Sequence, residues 1–385
     1  MTCGTARDTE WLQAALGARF EVTTKVIGTG PGESHEERIL GRVLRITEDG
    51  WELEADQRHA ELVVRQLGLE GARPVTSPGE DVKEHLVNEY CEALSGSKAT
   101  GYRAIAARIN YLAADRAGVA FAAKEVCRFM ANLTQGHLRA LRRLGRYLVG
   151  VPRVVCRFCW PQWPGRLSMY SDSDWAGCST TGKSTSGGVA MLGSHCLRAY
   201  SVTQKCVSLS SAEAELVALV KASTEAIGVC HLAETWGLSL HANVLVDSSA
   251  ALAITQRRGC GKLRHVRIGH LWVQKAQATG EVMYRKALGT SNPADVCTKH
   301  LPAPRARPLL DAIGQVAATG EAAQQLQLRR LAVHRRAGEG LATRAIPEDP
   351  ARDYKFRGGV TCRHELRRGE RQIASHGSCV RPTCL

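Results

Sequence analysis

Two aspartates each end a strand-like run, so a sheet could place both side chains at one of its edges. Asp172 ends an apolar, strand-like run that begins at Leu167 and continues into Tyr170–Gly177, and Asp247 ends the short run Val244–Val246. In α/β sheets, functional side chains collect at the carboxyl ends of strands. We therefore expect these two carboxylates to lie close together.

Two further carboxylates are predicted near helix starts. Glu215 falls three residues after Ala212 and four before Leu219, on the apolar stripe of a helix that begins after Ser210. A carboxylate on such a stripe is costly unless a cation or a donor meets it. Asp295 is predicted in a first helical turn, where the helix dipole favours an anion. Taken alone, Glu215 could be a helix-edge glutamate that reaches water, and Asp295 an ordinary first-turn aspartate.

Together the four carboxylates predict one metal site. They offer hard oxygen ligands, which suit Mg²⁺ or Mn²⁺ rather than zinc. Clustered carboxylates repel one another and need divalent cations, and two such ions can activate a water and stabilise the leaving oxygen of a phosphodiester. This is nuclease chemistry, and the predicted ligands are Asp172, Glu215, Asp247 and Asp295.

The region that must position these side chains, residues 165–300, alternates strand and helix patterns, which predicts an α/β fold. The long helix has Ser210 as its N-cap, and Glu213 completes a capping box while pointing away from the apolar stripe. The other predicted elements are strands at Leu167–Asp172, Gly188–Leu192, Leu197–Thr203, Val244–Asp247 and Val282–Arg285, with helices at Ser248–Arg257 and Arg267–Thr279.

The flanking regions differ from this pattern. Residues 1–80 are interpreted as mixed α and β, residues 81–101 as a linker, and residues 102–150 as helical. Residues 302–385 form a basic tail that we expect to be largely disordered. Within it, Leu309–Val333 has the pattern of one amphipathic helix.

The composition indicates a polyanionic partner. The chain has 385 residues, a net charge of +14 and a pI of about 9.3, which favours nucleic acid, although a solvated basic surface would have the same composition. Arginines also line the last helix before residue 150, where a solvated face and a nucleic-acid face are equally compatible with the pattern; they are Arg139, Arg142, Arg143 and Arg146.

The cysteines and the absence of an evident targeting segment indicate an intracellular protein. The 14 cysteines are scattered along a long chain, so we expect reduced thiols. The first ten residues are polar and no apolar run suggests a membrane span, so no membrane partner is expected.

Three motifs are weighed and set aside. Gly177–Ser184 matches a phosphate-binding loop in letters, but it lacks the preceding apolar strand and the following helix, and it fits a hairpin between two strands. Cys156 and Cys159 form a lone C-x-x-C in a strand-like run. A loose cluster in the tail has no standard zinc spacing; it consists of Cys362, His364, His376, Cys379 and Cys384.

Five motifs together resemble the ribonuclease H region of copia-type retrotransposon Pol polyproteins. The similarity covers about residues 165–301, and the motifs come in the order of that family. Residues 1–150 resemble, less closely, the stretch that joins the polymerase palm to that region. The five motifs are Tyr170–Gly177, Lys183–Gly187, Leu209–Leu216, Lys262–His265 and Asn292–Lys299.

The resemblance implies a ribonuclease H-like fold, which is a five-stranded mixed sheet with flanking helices. It also implies an enzyme that cleaves the RNA strand of an RNA/DNA hybrid with two Mg²⁺ or Mn²⁺ ions. It assigns the catalytic roles to the four carboxylates, with Asp172 rather than Asp174 in the first position. It also implies preceding remnants of the reverse-transcriptase thumb and connection, a place beside the rest of a Pol polyprotein, and a cytoplasmic particle or the nucleus as location. Five cations are expected at the hybrid phosphates: Lys183, Lys205, Lys262, Arg264 and Arg267.

Two departures from the family matter. The fingers and palm of the polymerase are absent, so we do not expect this chain to polymerise DNA. The loop Ala287–Asn292 lacks the histidine of many cellular ribonucleases H, so the group that protonates the leaving oxygen is not identified.

Two other functions remain open. The chain could be a non-catalytic nucleic-acid-binding remnant, which would bind a hybrid without cutting it. An integrase-like nuclease would have two aspartates followed by a glutamate as its last carboxylate, whereas here Glu215 comes second and Asp295 last.

Overall fold

Two five-stranded sheets with their helices make up the part of the chain that the structure describes. The structure is a computed structural model, and it describes residues 4–80, 91–160, 163–261 and 264–318. All of these residues belong to the compact unit Met1–Leu328, whereas the second unit, Arg329–Leu385, lies outside the described residues.

The elements are numbered in chain order. The helices are α1 Ala6–Gly17, α2 Gln57–Gln66, α3 Gly96–Ala113, α4 Ala117–Arg128, α5 Gln135–Gly150, α6 Ser211–Thr235, α7 Ser249–Gln256, α8 Trp272–Thr279 and α9 Ala303–Ala312. The strands are β1 Glu36–Ile39, β2 Arg42–Thr47, β3 Gly50–Glu54, β4 Val154–Cys159, β5 Arg166–Asp174, β6 Thr185–Leu192, β7 His195–Thr203, β8 His241–Val246, β9 Val282–Lys286 and β10 Gln315–Ala317.

The sheet that carries the carboxylates has the order β7-β6-β5-β8-β9. β5 pairs antiparallel with β6, and β6 pairs antiparallel with β7, while β5, β8 and β9 run parallel. This arrangement confirms the predicted α/β fold with a ribonuclease H-like, mixed five-stranded sheet. Since β5 and β8 are parallel neighbours, their carboxyl ends lie at the same edge.

The core of this region lies between the sheet and α6. Leu167 and Met169 of β5 are fully buried and belong to one cluster with Leu216 and Leu219 of α6 and Val244 of β8. Each buried side chain of this size stabilises the fold by roughly 1.5–3 kcal/mol. The central strand and the long helix are therefore held rigidly, and both carry carboxylates of the site.

The length and composition of α6 contradict the expectation that no segment has the character of a membrane span. Among the described helices, Ser211–Thr235 alone is long and apolar enough to cross a membrane by length and composition. The same helix packs against the sheet and buries Glu213 and Glu215 on its inner side. Its apolar composition is thus accounted for by its place in the core of this unit.

The other sheet is antiparallel, with the order β1-β2-β3-β4-β10. Its strand β4 precedes the strands β5–β9 of the carboxylate-bearing sheet in the sequence, and its strand β10 follows them. Residues 1–80 are mixed α and β, and residues 102–150 are helical, as their patterns predicted. α3 begins at Gly96, inside the segment predicted as a linker, whose residues 81–90 lie outside the described part.

The beginning of the predicted tail is ordered, which corrects the boundary at residue 302. α9 and β10 lie within it, because Leu309 and Ile313 are buried in a shared apolar cluster. The helix predicted over Leu309–Val333 already ends at Ala312, because Gly314 adopts the left-handed conformation that terminates helices. Residues 319–385, including the Cys/His cluster that had been set aside, lie outside the described residues.

Candidate carboxylate site

Three of the four predicted carboxylates come together at the sheet edge. Asp172, Glu215 and Asp247 each offer an oxygen, and these oxygens lie within 4.8 Å of one another. Asp172 lies on β5, Asp247 follows β8 directly, and Ser171 pairs with Val246 in the parallel ladder. Because the two strands are adjacent and parallel, this register brings both aspartates to one place, and α6 supplies the glutamate.

Glu215 is held at one oxygen and is without a hydrogen-bond partner at the other. Its Oε1 accepts a hydrogen bond from the backbone N–H of Ser173 at 3.3 Å. Its Oε2 is buried and has no hydrogen-bond partner among the described residues. Because a buried carboxylate oxygen without a donor is costly, this atom fits a site for a cation.

Asp172 is fixed by two groups from the segment that follows β9. Its Oδ2 accepts a hydrogen bond from the Thr298 hydroxyl, and Lys299 Nζ lies 3.5 Å from the same oxygen. Asp172 is only 2% exposed, whereas the Lys299 side chain is partly open to solvent. The aspartate is therefore held by a buried hydroxyl and by a lysine that is partly open to solvent.

Asp295 is not a member of the group of three, and it is paired with cations. Lys299 Nζ is 3.0 Å from its Oδ1, and Arg305 Nη2 is 3.0 Å from its Oδ2. Arg305 also donates to the carbonyl of Gly289 at 2.9 Å, which anchors it beside the site. In this arrangement the fourth carboxylate is neutralised by the protein itself.

A short 3-10 turn, Pro293–Cys297, carries Asp295 in place of the predicted α-helix. The Asn292 side chain caps this turn by accepting from Ala294 N at 3.1 Å, and its Nδ2 donates to Ser171 O at 3.0 Å. The capping side chain therefore also fastens the turn to the end of β5. This double role explains why Asn292 is fully buried.

Burial raises the pKa of two carboxyl groups of the site, those of Glu215 and Asp172. Burial, followed by the charges of Asp172 and Asp247, raises the pKa of Glu215 to about 8. Burial also raises the pKa of Asp172 to about 6, although Lys299 and the Thr298 hydroxyl oppose that rise. Both shifts arise first from burial, and the charges of the neighbouring carboxylates add to them.

Of the five predicted phosphate-contacting cations, the four that the structure describes form no ion pair with the carboxylates of the site. Lys183 is half-buried in the turn between β5 and β6, and Lys205, Arg264 and Arg267 are exposed on connecting segments. Lys262 lies outside the described residues. Contact of these cations with phosphate remains a prediction.

Several residues of the site were not identified from the sequence. Lys299 follows Asp295 by four residues, a spacing that could have indicated the pair, whereas Arg305 comes from the predicted tail and gave no local signal. Glu213, expected to point away, is buried, and its Oε2 lies 2.9 Å from His265 Nε2. Only long-range packing brings these last two side chains together.

Two motifs that had been set aside are hairpin and sheet elements. Residues 177–184 belong to the connection between β5 and β6, in which Gly182 N donates to Cys178 O at 2.8 Å. The Asp174 carboxylate lies directly against Gly177, and Asp174 is not a member of the group of three. Cys156 and Cys159 lie on β4 as free thiols.

Comparison with known sequences identifies transposon proteins. No family model matches the chain. The retrovirus-related Pol polyprotein from transposon RE1 of Arabidopsis thaliana is 29% identical over 236 residues, which are 60% of this chain and 16% of that protein. The corresponding polyprotein from transposon RE2 of the same plant is 28% identical over 295 residues, 74% of this chain and 19% of that protein. The chain thus spans less than a fifth of either relative.

Comparison with solved structures gives weaker likenesses. LC11-RNase H1 in complex with an RNA/DNA hybrid matches 34% of this chain and 94% of that chain, with 15% identity and a TM-score of 0.25. The foamy viral protease-reverse transcriptase in complex with dsDNA matches 66% of this chain and 45% of that chain, with 12% identity and a TM-score of 0.41. Both TM-scores lie below 0.5, so neither likeness supports a functional assignment.

Proposed function

This chain is a homologue of the retrovirus-related Pol polyproteins of transposons, and from that relationship we propose that it hydrolyses the RNA strand of RNA/DNA hybrids. The proposed active region is residues 165–301, within such a polyprotein. One observation carries the proposal: Asp172, Glu215 and Asp247 place carboxylate oxygens within 4.8 Å of one another at the edge of a mixed sheet.

The donor set fits divalent metal ions. All three side chains offer hard oxygens, and the partnerless Oε2 of Glu215 gives a buried atom that a cation would satisfy. Bound there, two Mg²⁺ or Mn²⁺ ions would supply an activated water and charge stabilisation for the leaving oxygen. Asp172, Glu215 and Asp247 would hold these ions, with Asp295 as the fourth carboxylate.

The chain's own groups prepare these ligands. The backbone N–H of Ser173 orients Glu215, and the Thr298 hydroxyl orients Asp172. Lys299 and Arg305 neutralise Asp295, so this carboxylate would join the ions only by exchanging a cationic partner. We propose that the exposed cations Lys205 and Arg267 help to place the hybrid backbone beside the carboxylates.

The test is cleavage of an end-labelled RNA strand in a hybrid, with Mg²⁺, with Mn²⁺ or with a chelator. Metal-dependent cutting is expected from the wild-type chain, and Asp247→Asn should abolish it. The matched control is Glu234→Gln, which changes one exposed carboxylate near the far end of α6 and should cut like the wild type. If folded wild-type protein binds the hybrid but cuts nothing in either metal, the proposed activity is wrong.

A non-catalytic nucleic-acid-binding remnant is the second candidate. The observation that favours it is the position of Lys299, whose ammonium neutralises both Asp172 and Asp295 without a metal. Binding of the hybrid without turnover would support this candidate. Preferential cutting of duplex DNA would instead indicate an integrase-like nuclease.

A further inference from the structure

Trp175 stands exposed at the end of the strand that carries Asp172. Half of its surface meets solvent, at 50% exposure, although it directly follows β5. Its Nε1 donates to the carbonyl of Ser208 at 3.0 Å. The indole is therefore fixed by one hydrogen bond while much of its apolar surface stays uncovered.

The backbone after Trp175 is held in an uncommon conformation. Ala176 has a φ of +53°, in the left-handed region that residues with a Cβ rarely adopt. Its N–H donates to the Ser184 hydroxyl at 3.0 Å, which holds this conformation in place. Strain of this kind persists only where surrounding contacts enforce it, and it is concentrated at functional sites.

Two further exposed apolar side chains lie beside the hydrogen bond of the indole. Val207 is 50% exposed and Leu209 is 68% exposed, and they flank Ser208 on both sides. We define Trp175, Val207 and Leu209 as the apolar platform. Exposed apolar side chains grouped in this way mark an interaction site.

The apolar platform adjoins the carboxylate site through two contacts between the same elements. Ser173, two residues before Trp175, donates its N–H to Glu215, and Trp175 itself reaches Ser208, just before the helix that carries Glu215. A strand of nucleic acid whose phosphate meets the carboxylates would therefore have its neighbouring nucleotides close to the platform.

The charge around the platform selects the occupant. Lys183 lies in the turn whose Gly182 approaches Val207, and Lys205 comes two residues before Val207. Neither ammonium forms a salt bridge with any residue that the structure describes. Apolar surface combined with unpaired cations is complementary to a nucleic-acid backbone, which presents apolar sugar faces and anionic phosphates.

We propose that the apolar platform contacts the sugars of the nucleotides next to the cleaved position, with Trp175 as its largest apolar contact. The proposal rests on the nucleic-acid substrate of the proposed function and adds a positioning residue outside the carboxylates. It predicts that loss of the indole weakens binding of a hybrid even when no cleavage can occur.

The experiment measures the dissociation constant of a short fluorescein-labelled RNA/DNA hybrid by anisotropy, in chelator, for three full-length proteins. Trp175→Ala should weaken binding roughly tenfold, because it removes the largest apolar contact of the platform. The matched control is Trp236→Ala, which removes a tryptophan that is 67% exposed at the other end of α6. Because α6 is about 37 Å long, this side chain lies far from the platform, and its removal should leave the affinity for the hybrid unchanged.

A conservative variant and a cross-link keep the result interpretable. Trp175→Phe retains an aromatic face but loses the Nε1 hydrogen bond, and it should bind within roughly threefold of the wild type. If Trp175→Ala does not fold, ultraviolet cross-linking of wild-type protein to a hybrid containing 5-bromouridine should label the peptide that contains Trp175.

The outcomes separate this inference from the proposed activity. Equal affinity of Trp175→Ala and wild type, or a cross-link elsewhere only, would overturn the platform while leaving hydrolysis intact. Weaker binding by Trp175→Ala, from a chain that never cuts the hybrid, would support the platform and refute the hydrolysis. No binding of any hybrid by the wild type would refute both.

Discussion

Lys299 Nζ lies 3.0 Å from Oδ1 of Asp295, four residues earlier in the chain. The same ammonium lies 3.5 Å from Asp172 on β5, so one lysine neutralises two buried carboxylates from different elements. Burial lowers the pKa of Lys299, whereas the two carboxylates raise it by a larger amount, so the net shift of its pKa is upward. The lysine therefore remains charged and joins the turn that carries Asp295 to the sheet.

Removing this charge should destabilise the metal-free protein. In Lys299→Met, two carboxylates lose a cation in a mostly buried site, and we expect the free energy of unfolding to fall by about 1–2 kcal/mol, a value reduced because the lysine is partly exposed. Urea denaturation in chelator measures the change, and saturating Mg²⁺ should reduce it. The control Lys25→Met breaks an exposed pair with Glu37 and should cost less than about 0.5 kcal/mol.

The metal-free protein should lose stability as pH rises towards 8. The pKa of Glu215 is raised from 4.5 to about 8 in the folded protein, so between these values the folded state binds more protons than the unfolded state. Each pKa unit corresponds to about 1.4 kcal/mol. The stability is complete below the unfolded pKa and is lost as pH rises through the folded one. Asp172, with its pKa raised to about 6, contributes to the lower part of this window.

Denaturation in chelator over this pH window, for wild type and Glu215→Gln, tests the assignment. The variant cannot ionise at residue 215, so its stability should be nearly flat between about pH 6 and 8. Added Mg²⁺ should flatten the wild-type profile, because a bound cation replaces the proton. Identical slopes for the two proteins in chelator would show that Glu215 is not the titrating group.

Metal affinity should distinguish the group of three carboxylates from the fourth. Asp247→Asn removes one of the three clustered ligands, and Asp295→Asn removes a carboxylate already paired with Lys299 and Arg305. By calorimetric titration with Mn²⁺, we expect Asp295→Asn to weaken binding by roughly 10–100-fold, as for residues that orient ligands, and Asp247→Asn to weaken it more. A larger loss of Mn²⁺ affinity for Asp295→Asn than for Asp247→Asn would show that Asp295 is a direct metal ligand.

The turn that carries Asp295 should tolerate no side chain at Gly187. Gly187 pairs with Asp172 across the ladder, and a Cβ there would lie 2.6 Å from Thr298 Cγ2 and 2.9 Å from Cys297 Cβ. Gly187→Ala should therefore lower the free energy of unfolding by about 1–3 kcal/mol. The control Gly228→Ala lies within α6, where an added methyl group meets no atom within 4 Å, and it should raise stability by about 0.4–1 kcal/mol. Thermal and urea denaturation measure both.

Charge reversal should reveal whether the predicted cations meet phosphate. Four of the five lie in the described part of the chain, and each one that contacts phosphate should lower the slope of log affinity against log salt by about one when it is reversed. The control Lys98→Glu makes the same charge change on α3. Unchanged affinity and slope would refute the phosphate contacts. The reversed residues are Lys183, Lys205, Arg264 and Arg267.

Long-range pairing accounts for what the sequence did not predict. Strand β4 pairs with β10, with Val155 opposite Val316. In the sequence, these two strands lie before and after the sheet that carries the carboxylates. No local pattern encodes such a pair. Likewise, Arg305 reaches Asp295 from a segment whose composition suggested a tail, because its helix packs by apolar contacts that periodicity within a short segment does not reveal.

The sequence by itself determined the local elements and the candidate ligands. Ser210 starts α6 because its hydroxyl accepts from Glu213 N at 3.2 Å, and caps, turns and periodicity depend only on neighbouring residues. The tertiary structure decided which ligands meet. Parallel pairing of β5 with β8 joins Asp172 to Asp247, whereas the packing of the Asp295 turn gives that carboxylate to Lys299. Charges compete for partners in three dimensions, and that competition is settled only when distant segments pack.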